Sequence, residues 1–354
     1  MPSPTQPTIS VIIPVHNGGE NFRRCLSSLA EAVPRPNELI VVADGDTDGS
    51  ARLAAQRGAR VFRLPARSGP ACARNRGARE ARGDILFFVD ADVTIPENAM
   101  SQVAAAFRRE PDLAALFGSY DDAPAASNFL SQYKNLLHHY VHQTAREEAF
   151  TFWGACGAVR REIFLRLGGF DERYRWPSVE DIELGYRLTQ AGQKIRLCKT
   201  LQVKHWKRWG MGSLLKADFF YRALPWTELI LRDRHLPNDL NLRLSGRISV
   251  LLTFGLVGTV VGAGWWPRAL VVAGGLILAL LALNAPLYRF FWHKRGLGFA
   301  VQTIPWHWFY FFYSGLAFAV GVVRYLSRGG NRPGASMPAD GKGWSAPQRQ
   351  PEVR

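Results

Sequence analysis

The chain has 354 residues, 47% of them apolar, and a formal net charge of +15. That length holds one large domain with an appendage, or two domains. The charge does not mark a nucleic-acid binder, because the basic residues form no single tract. They gather beside apolar segments, at Arg232, Arg234, Arg243 and Arg247 and again at Arg289, Lys294 and Arg295. Cations in such places mark the cytoplasmic side of membrane spans and contact anionic lipid.

The start, "MPSPTQPT", has neither a basic n-region nor an apolar h-region, so no signal peptide is expected and residues 1–8 read as a disordered lead. "TISVIIPV" is a buried-strand run, after which Phe22, Cys25, Leu26 and Leu29 recur at helical spacing. "ELIVVAD" is a second strand, and Ser50 opens a short Ala-rich helix. "ARVFRL" is a third strand, followed by the helical "GPACARNRGAREAR". A fourth, "DILFFVDAD", precedes a helix expected from Pro96, a residue suited to a first helical turn, and "LAALFGSY" is another strand. Strands alternating with helices predict an α/β fold with a mainly parallel, Rossmann-like sheet. Cys25, Cys72, Cys156 and Cys198 lack paired spacing and read as reduced thiols.

Residues 210–246 read as an interfacial helix and linker, with Pro225 kinking the helix between Met211 and Arg232. Three nearly uncharged stretches follow, at about 248–266, 269–288 and 299–323, in a membrane region 247–326. Each reaches or nearly reaches the roughly 20 residues a spanning helix needs. Three spans would carry the Arg-rich tail, 327–354, to the far side, whereas its charge favours the near side; a re-entrant third segment is the alternative. The tail itself has a disordered composition.

Ligands of open α/β sheets bind beyond the carboxyl ends of the strands. Asn17, Asp44, Asp90 and Asp92 all fall there. Short acidic pairs also occur in ordinary turns, but this density of carboxylates in a basic chain points to a bound cation. Carboxylates without neighbouring Cys or His favour Mg²⁺ or Mn²⁺, and Mg²⁺ characteristically bridges one or two carboxylates to substrate phosphates. "HNGGEN" after the first strand is not a dinucleotide fingerprint, and no Walker loop is present.

"VIIPVHN", "IVVADGDTDGS", "GPACARNRGA" and "FFVDADV", in that order, resemble the GT-A-fold glycosyltransferases of family two, inverting enzymes that use nucleotide-diphosphate sugars. The likeness continues into "GACGAVRREIFLRLGGFDE" and "VEDIELGYRL" and implies a GT-A domain over residues 9–209. It implies that Val15 and Asn17 line the nucleotide pocket and that Asp44 accepts a hydrogen bond from the base, usually uracil, hence a UDP-sugar. Ala43 departs from the family's acidic pair and leaves the base open. Arg67, Arg74 and Asn75 are implied near ribose and phosphates, and Asp90 and Asp92 form the D-x-D pair that holds the divalent cation. Asp181 is implied as the base, with Glu180 beside it on the acceptor side. "SVED" also reads as a capping box, with Ser178 as N-cap and Asp181 reaching back.

"HWKRW" matches the family's Q-x-x-R-W with His for Gln. It implies Arg208 at the pyrophosphate, Trp209 against an acceptor sugar and His205 in the metal shell; a basic-aromatic segment on the membrane surface is the alternative. Together these imply a multi-pass inner-membrane glycosyltransferase with a cytoplasmic catalytic domain and a lipid or lipid-linked acceptor, and no nucleic-acid partner. A polyprenyl-phosphate acceptor and a catalytically silent scaffold are the rivals.

Overall fold

The computed structural model describes residues 6–234 and 236–328. The expected tail beyond 328 and the first five residues of the expected lead lie outside the described residues. Within that lead, Thr8 is not loose: its N–H and hydroxyl both donate to Asp84 Oδ2, at 2.8 and 2.7 Å.

The elements run β1 (Ile9–Val15), α1 (Gly19–Glu31), β2 (Glu38–Asp44), α2 (Ser50–Gln56), β3 (Arg60–Leu64), α3 (Pro70–Glu80), β4 (Ile85–Val89), β5 (Val93–Thr94), α4 (Ala99–Arg109) and β6 (Leu113–Tyr120). There follow α5 (Phe129–Thr144), β7 (Glu148–Ala149), β8 (Cys156–Arg160), α6 (Arg161–Arg166), α7 (Glu180–Gln190) and β9 (Lys194–His205). The strands join in the order β3-β2-β1-β4-β8-β6-β9-β5, with β7 on β9. The sheet is mixed. β1, β2, β3 and β4 run parallel, as do β6 and β9, but β8 is antiparallel to both β4 and β6.

Burial on both faces explains the unbroken apolar runs of the central strands. Val11, Ile13, Phe87 and Val89 face one core with Phe22, Leu26, Val103 and Phe107 of α1 and α4. Ile12, Leu86 and Phe88 face the other, with α3, α6 and α7. Because β8 reverses twice between parallel neighbours, β6 and β9 end on the same sheet edge as β1, β2 and β4. That single edge collects the polar motifs.

One local expectation is not met. Pro96 does not open α4; the chain turns first and the helix starts at Ala99. Pro225 lies in the helical segment after β9, directly behind an irregular stretch. That segment runs without a break as α8 (Met211–Lys216), a π-helical stretch (Ala217–Ala223) and α9 (Leu224–Asp233), with Pro225 the second residue of α9. The π-helical insertion is the irregularity there.

A 3₁₀ turn (Leu240–Leu242) leads to α10 (Leu244–Gly262), α11 (Ala269–Arg295) and α12 (Leu297–Ser327). All three are long and apolar enough to cross a membrane. Trp265 and Trp266, expected at the end of the first span, lie instead in the turn before α11. All four cysteines are free thiols.

Candidate functional site

The D-x-D stretch sits where β4 ends and the chain turns back as β5. Val93 of β5 pairs with His205 at the end of β9, and Trp206 N–H donates to Asp92 O at 2.9 Å. This short antiparallel pairing brings His205 Nε2 to 3.5 Å from Asp92 Oδ2. The His205 ring is only 8% exposed and stacks on Tyr120, with centroids 4.4 Å apart and planes 8° from parallel. Burial alone would raise the Asp92 carboxyl, but His205 and then Lys207 outweigh it and hold the group below its ordinary value.

Asp181, in the first turn of α7, lies on the same edge. Its Oδ2 accepts from Gly154 N–H at 3.0 Å, just ahead of β8, and its Oδ1 accepts from Ile182 N–H at 2.8 Å. Burial and then the charge of Glu180 push this carboxyl up to about 7, against the lowering effects of the Gly154 N–H and Arg74. The helix can approach this closely because position 185 is glycine. A Cβ there would meet the backbone nitrogen of Phe152 at 2.4 Å.

Arg74 joins the two halves of the site. Its guanidinium is 5% exposed and donates to Asp90 Oδ1 at 2.7 Å and to Glu180 Oε1 at 2.9 Å. It is therefore an internal strut between the D-x-D stretch and α7. Glu180, expected on the acceptor side, is buried with both oxygens engaged, by Arg74 and by Ser178 N–H. Asn75 is likewise structural: it bonds Phe170 N–H, Phe170 O and Glu172 and so ties down the loop before α7.

Asp44 is also occupied, its oxygens accepting Ser68 N–H at 2.6 Å and Gly69 N–H at 2.8 Å. Gly69 has φ +99, and a Cβ would strike the Arg175 carbonyl at 2.4 Å, which explains a glycine at this crossing. Trp209 is 6% exposed, so it offers no open stacking face. The capping box does not form. Val179 is the N-cap, and Ser178 Oγ instead donates to Tyr221 O at 2.7 Å.

Of the remaining motif residues, Asn17, Arg67 and Arg208 are exposed, whereas Val15 is buried. Val15 closes β1, and Asn17, at φ +50, accepts Thr47 N–H at 2.8 Å, linking the loops after β1 and β2. Arg67 lies over the Trp176 ring at 4.6 Å, and Arg208 is exposed. Tyr120 and Gly154 were missed. Tyr120 ends β6, so the rule that located Asp44 and Asp90 at strand ends would also have found it. Clefts of about 550 and 380 Å³ elsewhere on the surface contain none of these groups.

Asp92 and His205 suit a divalent cation: an oxygen and an imidazole nitrogen face each other, beyond hydrogen-bonding distance of a close pair and fixed by Tyr120. Among the described residues no group of three His, Cys, Asp or Glu converges. Such an incomplete set matches an ion that takes its other ligands from substrate phosphates.

The mixed, mostly parallel sheet with its polar motifs gathered on one edge is a GT-A fold, the architecture of nucleotide-diphospho-sugar transferases. Residues 10–168 match the family model described as "Glycosyl transferase family 2", so the chain carries a domain of that family. It is 27% identical over 271 residues to the pre-mycofactocin glycosyltransferase of Mycobacterium tuberculosis, covering 73% of this chain and 55% of that protein. It is 28% identical over 262 residues to the N-acetylglucosaminyl-diphospho-decaprenol L-rhamnosyltransferase of the same species, covering 64% and 85%. The chain thus spans about half the length of the first relative, and a similar or smaller share of several others. A mannosyltransferase from Pyrobaculum calidifontis, solved with GDP-Man and Mn²⁺, shares the fold at TM-score 0.50 and 17% identity, over 92% of this chain and 89% of that one.

Proposed function

We propose that the chain is a membrane-anchored, metal-dependent, inverting glycosyltransferase. It moves a sugar from a nucleotide-diphosphate donor to a lipid or lipid-linked acceptor at the cytoplasmic membrane face. The observation that carries this reading is Asp181, a carboxyl pushed up to about 7 on the same sheet edge as Asp90, Asp92 and His205. A base poised near neutrality is what proton abstraction from a hydroxyl requires.

Each Asp181 oxygen accepts one N–H and keeps a lone pair, so the carboxylate is oriented and still able to take the acceptor's hydroxyl proton. The acceptor oxygen then bonds to the anomeric carbon from the side opposite the diphosphate. The bond from that carbon to the diphosphate oxygen breaks, and the nucleoside diphosphate leaves with the electron pair. A divalent cation held by Asp92 and His205 supplies charge neutralisation for that leaving group. Arg74 keeps Asp90 and Glu180 in register beneath both partners.

The mannosyltransferase of the same fold was solved with a nucleotide sugar and Mn²⁺, and the rhamnosyltransferase relative is named for a diphospho-decaprenol acceptor. Both support the reading, as do three membrane-length helices following the sheet domain. The test incubates the full chain in lipid bilayers with a panel of nucleotide-diphosphate sugars and a membrane lipid extract, with Mn²⁺, Mg²⁺ or chelator. Metal-dependent release of nucleoside diphosphate and an anomerically inverted lipid product are expected. A chain that neither hydrolyses nor transfers any donor is the silent scaffold instead.

A further inference from the structure

By length and composition α12 is fit to span a membrane, and its middle packs on α10, where Gly315 lies against Val250 and Phe254 and Phe312 sits 5.2 Å from Phe254. Yet contacts with the sheet domain and its following helices also run along its length. Its first turns meet α5: Phe299 packs on Phe129 with centroids 5.3 Å apart, and His307 Nδ1 lies 2.7 Å from Tyr133 Oη. Midway, Tyr313 Oη donates to Asp218, the carboxylate that Lys134 of α5 also holds at 2.7 and 2.8 Å. Near its end, Gly321 lies so close to Thr227 of α9 that a Cβ would come within 2.8 Å, and Arg328 pairs with Glu228 at 3.5 Å. α9 is itself fastened to α7, through Trp226 Nε1–H to Tyr186 Oη at 3.2 Å and Arg232 to Glu183 at 3.8 Å.

α11 is different. Only its last turns reach the sheet domain, where Lys294 pairs with Asp122 and Arg295 Nε donates to Gln132. Its earlier turns expose Leu270, Val271, Val272 and Leu278 and pack on α10, with Asn284 donating to Ser249 at 3.0 Å.

We propose that only α10 and α11 cross the bilayer, and that α12 lies along its cytoplasmic face, with the sheet domain on one side, Val250 and Phe254 of α10 beside its middle, and lipid over the rest. The helix is patterned for this. Ala300, Thr303, His307, Ala317 and Gly321 are buried, while Val301, Phe309, Leu316 and Val323, spaced by eight, seven and seven residues, form an exposed apolar stripe on the opposite side. A crossing α12 would draw Lys134, Asp218 and Glu228 with it toward hydrocarbon, which ionised groups avoid. At 31 residues it is about 46 Å long, far more than a bilayer core requires. Lying flat also leaves Arg324 and Arg328 on the cytoplasmic side, where positive charge is favoured.

The inference rests on the membrane-anchored reading, and one experiment separates the two. In the full-length chain the four native cysteines are replaced, and single cysteines are placed at Gly264, in the turn between α10 and α11, or at Ser327. Both are treated with an impermeant maleimide in sealed right-side-out membrane vesicles. Gly264→Cys should label at once, and Ser327→Cys only after the vesicles are opened. Labelling of Ser327→Cys in sealed vesicles would overturn the flat α12 and leave three spans. Silence of Gly264→Cys until opening would show that the hairpin does not cross, and the anchored reading falls with it. Should the cysteine-free chain not fold, a fluorescent protein fused after Arg354 of the unmodified chain serves: protection from added protease in sealed vesicles supports a flat α12, and cleavage overturns it.

Discussion

Replacing Asp181 with Asn separates chemistry from architecture. The carboxylate accepts two backbone N–H groups, from Gly154 at 3.0 Å and Ile182 at 2.8 Å. An amide has one oxygen to offer, so one of these donors loses its partner, at about 1–3 kcal/mol for a buried group. In the opposite direction, the neutral amide removes a charge that burial and Glu180 both disfavour. The two effects oppose each other, and at about 2–4 °C per kcal/mol the melting temperature should move by only a few degrees. Transfer should fall by about 10²-fold or more, the usual cost of a lost acid–base group. The assay is sugar transfer at saturating donor and acceptor, with donor binding measured separately and expected unchanged. The pH profile supplies the sign. Below about 7 the carboxyl is protonated and cannot take a proton, so wild-type transfer should climb as pH rises through that value, and the residual rate of Asp181→Asn should not. A variant that transfers at close to the wild-type rate would show that Asp181 merely holds Gly154.

Three further outcomes follow from the same geometry. Asp92→Asn should keep the fold but lose Mn²⁺-dependent donor binding in titration calorimetry; unchanged metal dependence would remove Asp92 from the cation site. Arg74→Met strands the buried Glu180 carboxylate and leaves the partly exposed Asp90 without its partner, and breaking a buried pair costs about 3–5 kcal/mol. Its thermal melt should drop accordingly, and a melt like that of the wild type would mean the strut is dispensable. Gly185→Ala places a Cβ against Phe152 N and should push α7 off the 151–154 loop, cutting transfer more than donor binding; equal activity would show that this contact does not set the position of Asp181.

The first half of the sheet domain is legible because local signals suffice there. β1, β2 and β4 are apolar runs long enough to recognise, β3 is a shorter alternating one, and the helices after β2 and β3 begin at Ser50 and Pro70 as the pattern indicates. β8 is five residues with no turn signal of its own, and only its partners show that it runs backwards between β4 and β6. The same limit separates ligand from strut. Asn75 is held by Phe170 and Glu172, and Arg74 by Glu180, all roughly a hundred positions away. A polar residue in a motif looks alike whether the returning chain covers it or leaves it open. Ser178 illustrates the point at shorter range: its hydroxyl has a good local use as a cap, but Tyr221 O outcompetes it.

The bond from Ser178 to Tyr221 and the pair from Trp226 to Tyr186 clamp α7, which bears Asp181, to the segment that runs beneath α12. If α12 rests on the bilayer, the base stands at one set height above it, and the fold acts as a depth gauge for its acceptor. A hydroxyl carried too near the lipid, or lifted too far on a long headgroup, would miss Asp181 however well its chemistry matched. Selectivity among acceptors would then be a matter of reach, and a series with spacers of increasing length between lipid and hydroxyl should show a single optimum in transfer rate, where a flat response would mean the clamp gives.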